Sequence, residues 1–354
     1  MRIQANLAGG MLALMFLAAT SAPAVDWGRD TFVLTSTNDP SGNQVVVFRL
    51  TTTGTPALSL VTMLPTGGTG GAGGNAGIVQ FDDEMGAVAN YGSNTVTELV
   101  RYNDSINTAK TINLAAGCTG PVSVALKDWH LYVAGANCAE SHAWPSGTLD
   151  GTKVALSDSS AGQIVVGKTW AGVTMKSGTV QQLALTSWGA LAGTSSSVTL
   201  PSDANNTPLG AAFWGDIMGF NPAHSADSFA LVDKTGDVYP VLGPQPAYPS
   251  NAPCWLAKGA GNVWYAGNSP GKAVSIFFSD DQGGVFYKSV PVAGVPTDLS
   301  VSPDGKWLAV IYAASDGSGG HVAVFSIDAY GGLTLAATSA PLGIASFNGV
   351  AISQ

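Results

Sequence analysis

The sequence predicts an all-β protein, a seven-bladed β-propeller closed by the C-terminal strand joining the three N-terminal strands. Three observations predict it. A four-strand unit is plain at Pro296–Pro341, a Pro-led marker repeats with that unit, and a lone C-terminal strand complements three N-terminal ones. In the unit, Leu299–Val301 is short and apolar. Ser302-Pro303-Asp304-Gly305 is a turn, because glycine accepts positive φ without steric cost. Lys306–Tyr312 is a nearly continuous apolar run, as expected of a strand covered on both faces. His321–Asp328 is rich in β-branched and aromatic residues, and Leu333–Thr338 follows Gly331-Gly332. One such sheet cannot bury both faces alone, so further copies are expected. The marker, a proline followed three residues later by a strand-forming residue, recurs at Pro121, Pro208, Pro253 and Pro296. Its spacing is roughly 40–50 residues, with the first gap about double, as in propeller blades.

The elements follow in order. Thr31–Thr37, Gln44–Leu50 and Ala57–Leu64 read as three strands, with Asp39-Pro40-Ser41-Gly42 as the first turn. Phe347–Ser353 is the fourth strand of that blade, which seals the ring and removes an exposed edge. The second blade runs from Asn75 to about Ala115. The third begins at Pro121, with Trp129–Asn137 as its second strand. Between Cys138 and Asn206 the pattern weakens. Ser141–Met175 reads as an enlarged loop plus outer strands, Val180–Thr186 as the opening of a fourth blade, and Ala190–Leu200 as two short strands. The last three complete blades start near Pro208, Pro253 and Pro296, giving seven. Six remains the alternative if Cys138–Val180 is only an insertion. The division expected is 1–24 as a signal peptide and 25–354 as the propeller, with an irregular insertion around 138–178.

Composition bounds the function. The 45 glycines and 19 prolines are about 18% of the chain, against a usual ~12%, while hydrophobic residues are still 45%. That describes a loop-rich β protein and not a disordered one. Net charge is −9 with only 10% charged residues, which disfavours nucleic acid and anionic membranes as partners. Arg2, the apolar Leu7–Ala19 and Ala22-Pro23-Ala24 form the pattern of a cleaved leader, so export to the periplasm or outside the cell is expected. No other stretch is long and apolar enough to span a bilayer, and a monomer is expected.

Thr37–Asn43, Gly67–Asn75, Gly120–Val124, Ala252–Ala257 and Pro296–Asp328 are segments that, taken together, resemble the secreted seven-bladed propellers of the lactonase-like family, whose relatives include 6-phosphogluconolactonase and carboxymuconate lactonizing enzymes. The resemblance covers most of the mature chain and thins out between Cys138 and Asn206. It implies a lactone hydrolase or cycloisomerase whose site sets a His, arginines and a Glu around an anionic lactone. This chain has three glutamates, Glu84, Glu98 and Glu140, and no arginine beyond Arg101, so those residues cannot be carried over one by one. Non-catalytic binding of a polar small molecule, glycan or protein at the channel face is the reading preferred over catalysis.

Candidate residues follow from where a propeller places its loops. The loops entering the innermost strands share one face with those between second and third strands, and ligands collect there. Asn75, Asp298 and Asn348 fall at the mouths of innermost strands, where two amides and a carboxylate can hold a polar ligand. Equally, they can cap strand ends. The glycine loop Thr66–Gly74 enters the second blade on that face. With no helix after it, neither a P-loop nor a dinucleotide site is supported, and a compact surface loop is the simpler reading. A hydrolase needs a group to activate water and a donor for the oxyanion. Glu140 and His142, two residues apart after Cys138, are the catalytic candidates, expected in a loop facing the channel. Cys118 and Cys138 end neighbouring segments on one face, which predicts a disulfide in an exported chain. Cys254 is then a small buried hydrophobe. No metal or cofactor motif is read.

Overall fold

The computed structural model describes residues 30–224, 229–240, 252–280, 283–343 and 347–354. The segment 1–24, expected to be a signal peptide, lies outside the described residues. Seven antiparallel sheets stand in a ring, and the described residues contain strands but no helix. No helix is long and apolar enough to cross a membrane. Blade 1 is the closure blade: Asn348–Ser353 is its innermost strand and pairs with Thr31–Ser36, followed outward by Gln44–Thr51 and Ala57–Pro65. The three-plus-one arrangement expected from the sequence is therefore present.

The innermost strands of blades 2 to 7 are Val79–Asp82, Ser123–Lys127, Ala161–Val166, Pro208–Trp214, Pro253–Lys258 and Gly294–Val301. Each packs beside the next, and the last lies against Asn348–Ser353, closing a central channel. Second strands are the most buried. Met85–Asn90, Trp170–Met175 and Val263–Asn268 are buried at every position, which explains why they are largely apolar. Fourth strands such as Ala57–Pro65 and Leu191–Thr199 are mostly exposed. The core lies between neighbouring sheets. Val88 and Val96 of blade 2, for example, pack with Val124 and Leu131 of blade 3.

The reading of 138–206 is corrected in detail. Cys138–Ala143 is a regular third strand of blade 3, and only 144–160, with the two-residue strands Thr148–Leu149 and Val154–Ala155, is irregular. Blade 4 opens at Ala161–Val166, so Thr179–Leu185 is its third strand, and Leu191–Thr199 is one strand instead of two. The glycines that blurred the pattern have packing reasons. A Cβ at Gly172 would strike Met218 of blade 5, and one at Gly167 would come within 2.6 Å of the Phe213 ring. Trp129 belongs to a turn, and the second strand of blade 3 is His130–Ala134.

Candidate functional site

We call the face where innermost strands begin the top. Neighbouring innermost strands do not form a ladder, so side chains and single backbone groups join them around the channel. The Gly77 carbonyl accepts the Val124 N–H at 2.8 Å. Ser123 Oγ accepts the Ile164 N–H at 3.2 Å, and Gln163 Oε1 accepts the Ala211 N–H at 2.7 Å. Asp298 completes this belt from blade 7. Its carboxyl accepts N–H bonds from Leu299 at 2.8 Å, from Gly77 of blade 2 at 3.2 Å, and from Val350 of blade 1. Asp298 is buried, and burial pushes its carboxyl up to about 7 although all three N–H bonds pull the other way. Three N–H bonds leave part of its acceptor capacity unused.

The channel holds a cavity of about 300 Å³ lined by Asp298, Gln80, Gln163, Ser300 and Lys258 among others. Lys258 marks the bottom end. Its Nζ donates to the carbonyls of Gly259 and Gly261 at 2.8 and 2.6 Å, it sits over the Trp214 and Trp264 rings, and burial lowers it to about 8. At the top, Asn75 is buried and its Oδ1 accepts from Lys176 Nζ at 2.7 Å. Lys176 projects from the turn after Trp170–Met175, so it reaches from blade 4 past blade 3 to the loop before blade 2. Burial shifts this lysine down. Asn348 begins the innermost strand of blade 1, is buried, and its Oδ1 has no hydrogen-bond partner. The expected trio thus lies at the top of the channel. Lys176, Gln163 and Lys258 were missed, because nothing local in the sequence marks a lysine whose partner is 101 residues away.

The glycine loop is committed to structure. Asn38 Oδ1 accepts from the Gly71 and Ala72 N–H groups at 2.9 and 3.0 Å, and the Gly70 N–H goes to the Asp39 carbonyl at 2.8 Å. A Cβ at Gly70 would overlap the Asn38 backbone, so glycine is needed there for close approach.

Glu140 and His142 do come together, with Nε2 of the ring 2.9 Å from Oε1 of the carboxyl. Their setting differs from the loop expected. Both lie in the third strand of blade 3, two strands from the channel, and are 0% and 3% exposed. The reason is alternation: residues two apart on a strand share a face, here the one turned toward blade 2. The Ala115 N–H donates to Glu140 at 3.0 Å, and His142 Nδ1 donates to the Gly147 carbonyl at 3.2 Å. Glu98 of blade 2 faces this pair. It is buried, its Oε1 has no hydrogen-bond partner, and burial pushes it up to about 7 against the pull of Lys110 and His142. The expected Cys118–Cys138 disulfide is present, with Cα atoms 5.6 Å apart, and Glu140 lies beside its sulfurs. Cys254 is partly buried, and burial raises its thiol, the opposite of what a nucleophile needs.

No protein-family model matches the chain, and no curated protein matches its sequence. Solved structures do share its fold. A protein of unknown function from Desulfotomaculum acetoxidans matches with a TM-score of 0.68 at 13% identity, covering 92% of this chain and 99% of that one. A protein from Lactobacillus plantarum matches at 0.64 and 14%, with coverage of 92% and 99%. A Bacteroides fragilis protein provisionally assigned as a 6-phosphogluconolactonase matches at 0.64 and 13%, covering 94% and 100%. The likeness is one of fold: the chain is similar to lactonase-like seven-bladed propellers in architecture.

Proposed function

We propose that this protein is an exported propeller that binds a small polar molecule at the top of its channel, through Asn75, Asp298 and Asn348. One observation carries the reading. A buried carboxyl shifted close to neutrality lines the channel cavity, while the unpartnered Asn348 Oδ1 starts the innermost strand packed against its own. Unsatisfied buried acceptors are costly, and a ligand donor would remove that cost. Lys176 adds a cation at the same mouth. The Cys118–Cys138 disulfide supports an oxidising compartment.

A second reading, lactone hydrolysis or cycloisomerisation, is favoured by the same carboxyl, since a group poised near neutrality suits general-base work. One experiment separates the two. The purified chain is titrated calorimetrically with gluconate and gluconolactone, and lactone opening is followed by proton release. Binding without turnover, lost in Asp298→Asn, supports the binding reading. Turnover above the spontaneous rate, lost in the same variant, makes it an enzyme. Turnover lost instead in His142→Ala or Glu140→Ala, with folding intact, would move the chemistry to the blade 2–blade 3 interface. No binding and no turnover in a folded sample would remove the channel as a site for these ligands.

A further inference from the structure

The bottom face carries a second constellation, separate from the channel. Four turns crowd together there: 127–130 of blade 3, 167–169 and 186–190 of blade 4, and 233–237 of blade 5. They enclose a cavity of about 440 Å³ lined by Lys127, Asp128, Lys168, Trp188 and Lys234 among others. An adjoining cavity of about 360 Å³ shares Thr169 and Lys234 with it and runs on past Thr194, Ser195 and Ser196. Three of the chain's ten lysines therefore gather at one groove of a protein whose net charge is −9. Two are held by neutral acceptors: Lys234 Nζ donates to Thr169 Oγ1 at 3.0 Å, and Lys127 Nζ donates to the Gly167 carbonyl. Asp128, 77% exposed and 3.9 Å from Lys127, is the carboxylate among the lining residues, while Asp216, Asp233 and Asp237 stand in the adjoining turns and accept hydrogen bonds there, Asp216 from the Thr169 N–H at 2.9 Å.

Trp188 lines the groove, and Trp129 follows the lining residue Asp128 in the blade 3 turn. Trp188 is 71% exposed and Trp129 is 66% exposed. The Trp188 backbone is fixed, since His130 Nε2 donates to its carbonyl at 2.6 Å and the Tyr132 hydroxyl donates to the Gly189 carbonyl at 2.7 Å. His130 is itself oriented by Asp150, 2.7 Å from Nδ1. Trp129 has φ of 67° and Asp128 has φ of 49°. A two-residue hairpin turn with both φ positive prefers Asn-Gly, and a bulky side chain in that region is strained. The exposed indole recovers little burial energy in return. Folding alone gives no reason for a tryptophan there, and backbone strain of this kind gathers at functional sites.

We propose that this groove binds an acidic oligosaccharide. The flat C–H face of a pyranose ring lies on the exposed indole of Trp188, whose backbone is held in place. The Ser and Thr hydroxyls bond sugar hydroxyls, and Lys168 and Lys234 take a ring carboxylate. Two adjoining cavities accommodate more than one sugar. A nucleic-acid strand would also use indoles and lysines, but its dense phosphate charge meets a chain of net charge −9.

The test titrates the purified chain with trigalacturonate, maltotriose and a single-stranded DNA hexamer, following tryptophan fluorescence and heat at low and high salt. Saturable binding of trigalacturonate that weakens with salt is expected, with little or none of maltotriose. Trp188→Ala should weaken it about tenfold, and Lys168→Ala and Lys234→Ala about threefold each. Tyr330→Ala, which removes an aromatic 83% exposed elsewhere, should change nothing. Each variant is first shown to unfold at the wild-type temperature. Absence of trigalacturonate binding overturns the proposal, as does equal binding by Trp188→Ala, equal affinity for maltotriose, or tighter binding of the DNA hexamer.

Discussion

Asp298 and Glu98 are both buried carboxyls that burial lifts to about 7, from ordinary values of 3.8 and 4.5. Their places in the fold differ. Asp298 is on an innermost strand, lines the channel and takes backbone N–H bonds from blades 1, 2 and 7. Glu98 is on a third strand and faces one neighbouring blade, where Glu140 lies beside the disulfide and bonds His142. The same desolvation yields a carboxyl that lines the channel cavity in one case and one enclosed between two blades in the other. Strand order within the blade makes the difference, since only the first strand borders the channel.

Four measurements break or sharpen that contrast. The largest effect is expected from Asp298→Ala, which strands three backbone N–H groups at the junction of three blades. It should cost about 4 kcal/mol in urea unfolding. If that variant fails to fold, Asp298→Asn, which keeps one acceptor oxygen, should cost about half as much. A loss below 1 kcal/mol, on the order of an ordinary exposed substitution, would show that the belt does not depend on Asp298.

Next is the interface between blades 2 and 3. The disulfide closes a loop with a sequence separation of 20, so Cys118→Ala with Cys138→Ala should lower stability by about 3 kcal/mol. Unchanged unfolding under reducing conditions would contradict this. Third, Glu140→Gln should cost about 2 kcal/mol, because His142 and the Ala115 N–H lose a charged partner. In the channel-binding reading it leaves ligand affinity untouched. A change in affinity would tie this interface to the channel.

The smallest effect distinguishes the two carboxyls by pH. A carboxyl whose folded pKa is raised holds its proton longer in the folded state than in the unfolded one. Its stabilisation is complete below the unfolded value and is lost as pH rises through about 7. Wild-type stability should therefore fall from about pH 4 to about pH 7 and level off above that. Glu98→Gln should flatten that slope by about 1 kcal/mol, and Asp298→Asn should flatten its own share. A channel ligand should change the Asp298 share and leave the Glu98 share as it was. Equal responses at the two sites would erase the contrast.

Much of the architecture was legible because strand identity is a local property. Alternating β-branched residues, Asp-Gly turns and the Pro-led marker each lie within one hairpin. The disulfide was legible for a related reason: strand ends and the face they share follow from the blade's zigzag. Blade 4 was shifted because Gly162, Gly167 and Gly172 interrupt its strands, and their purpose, to admit Leu209, Phe213 and Met218 from blade 5, is visible only between sheets. Of the three polar residues expected at strand mouths, Asn348 begins its innermost strand and Asn75 lies in the loop before Val79, while Asp298 is the fifth residue of Gly294–Val301. Glu140 and His142 were misplaced, because a short polar stretch, Cys138–His142, hides a buried strand among loop-like residues.

By itself the sequence determined the repeat, its closure by Phe347–Ser353 with the N-terminal strands, and the Cys118–Cys138 bridge. Tertiary structure alone decided which side chains meet between blades: Asp298 with Gly77, 221 residues away, Lys176 with Asn75, 101 away, and His130 with Trp188, 58 away. Hydrogen-bonded ladders follow chain order. Contacts between blades depend on how each sheet is rotated and offset against the next, and no sequence periodicity carries that information.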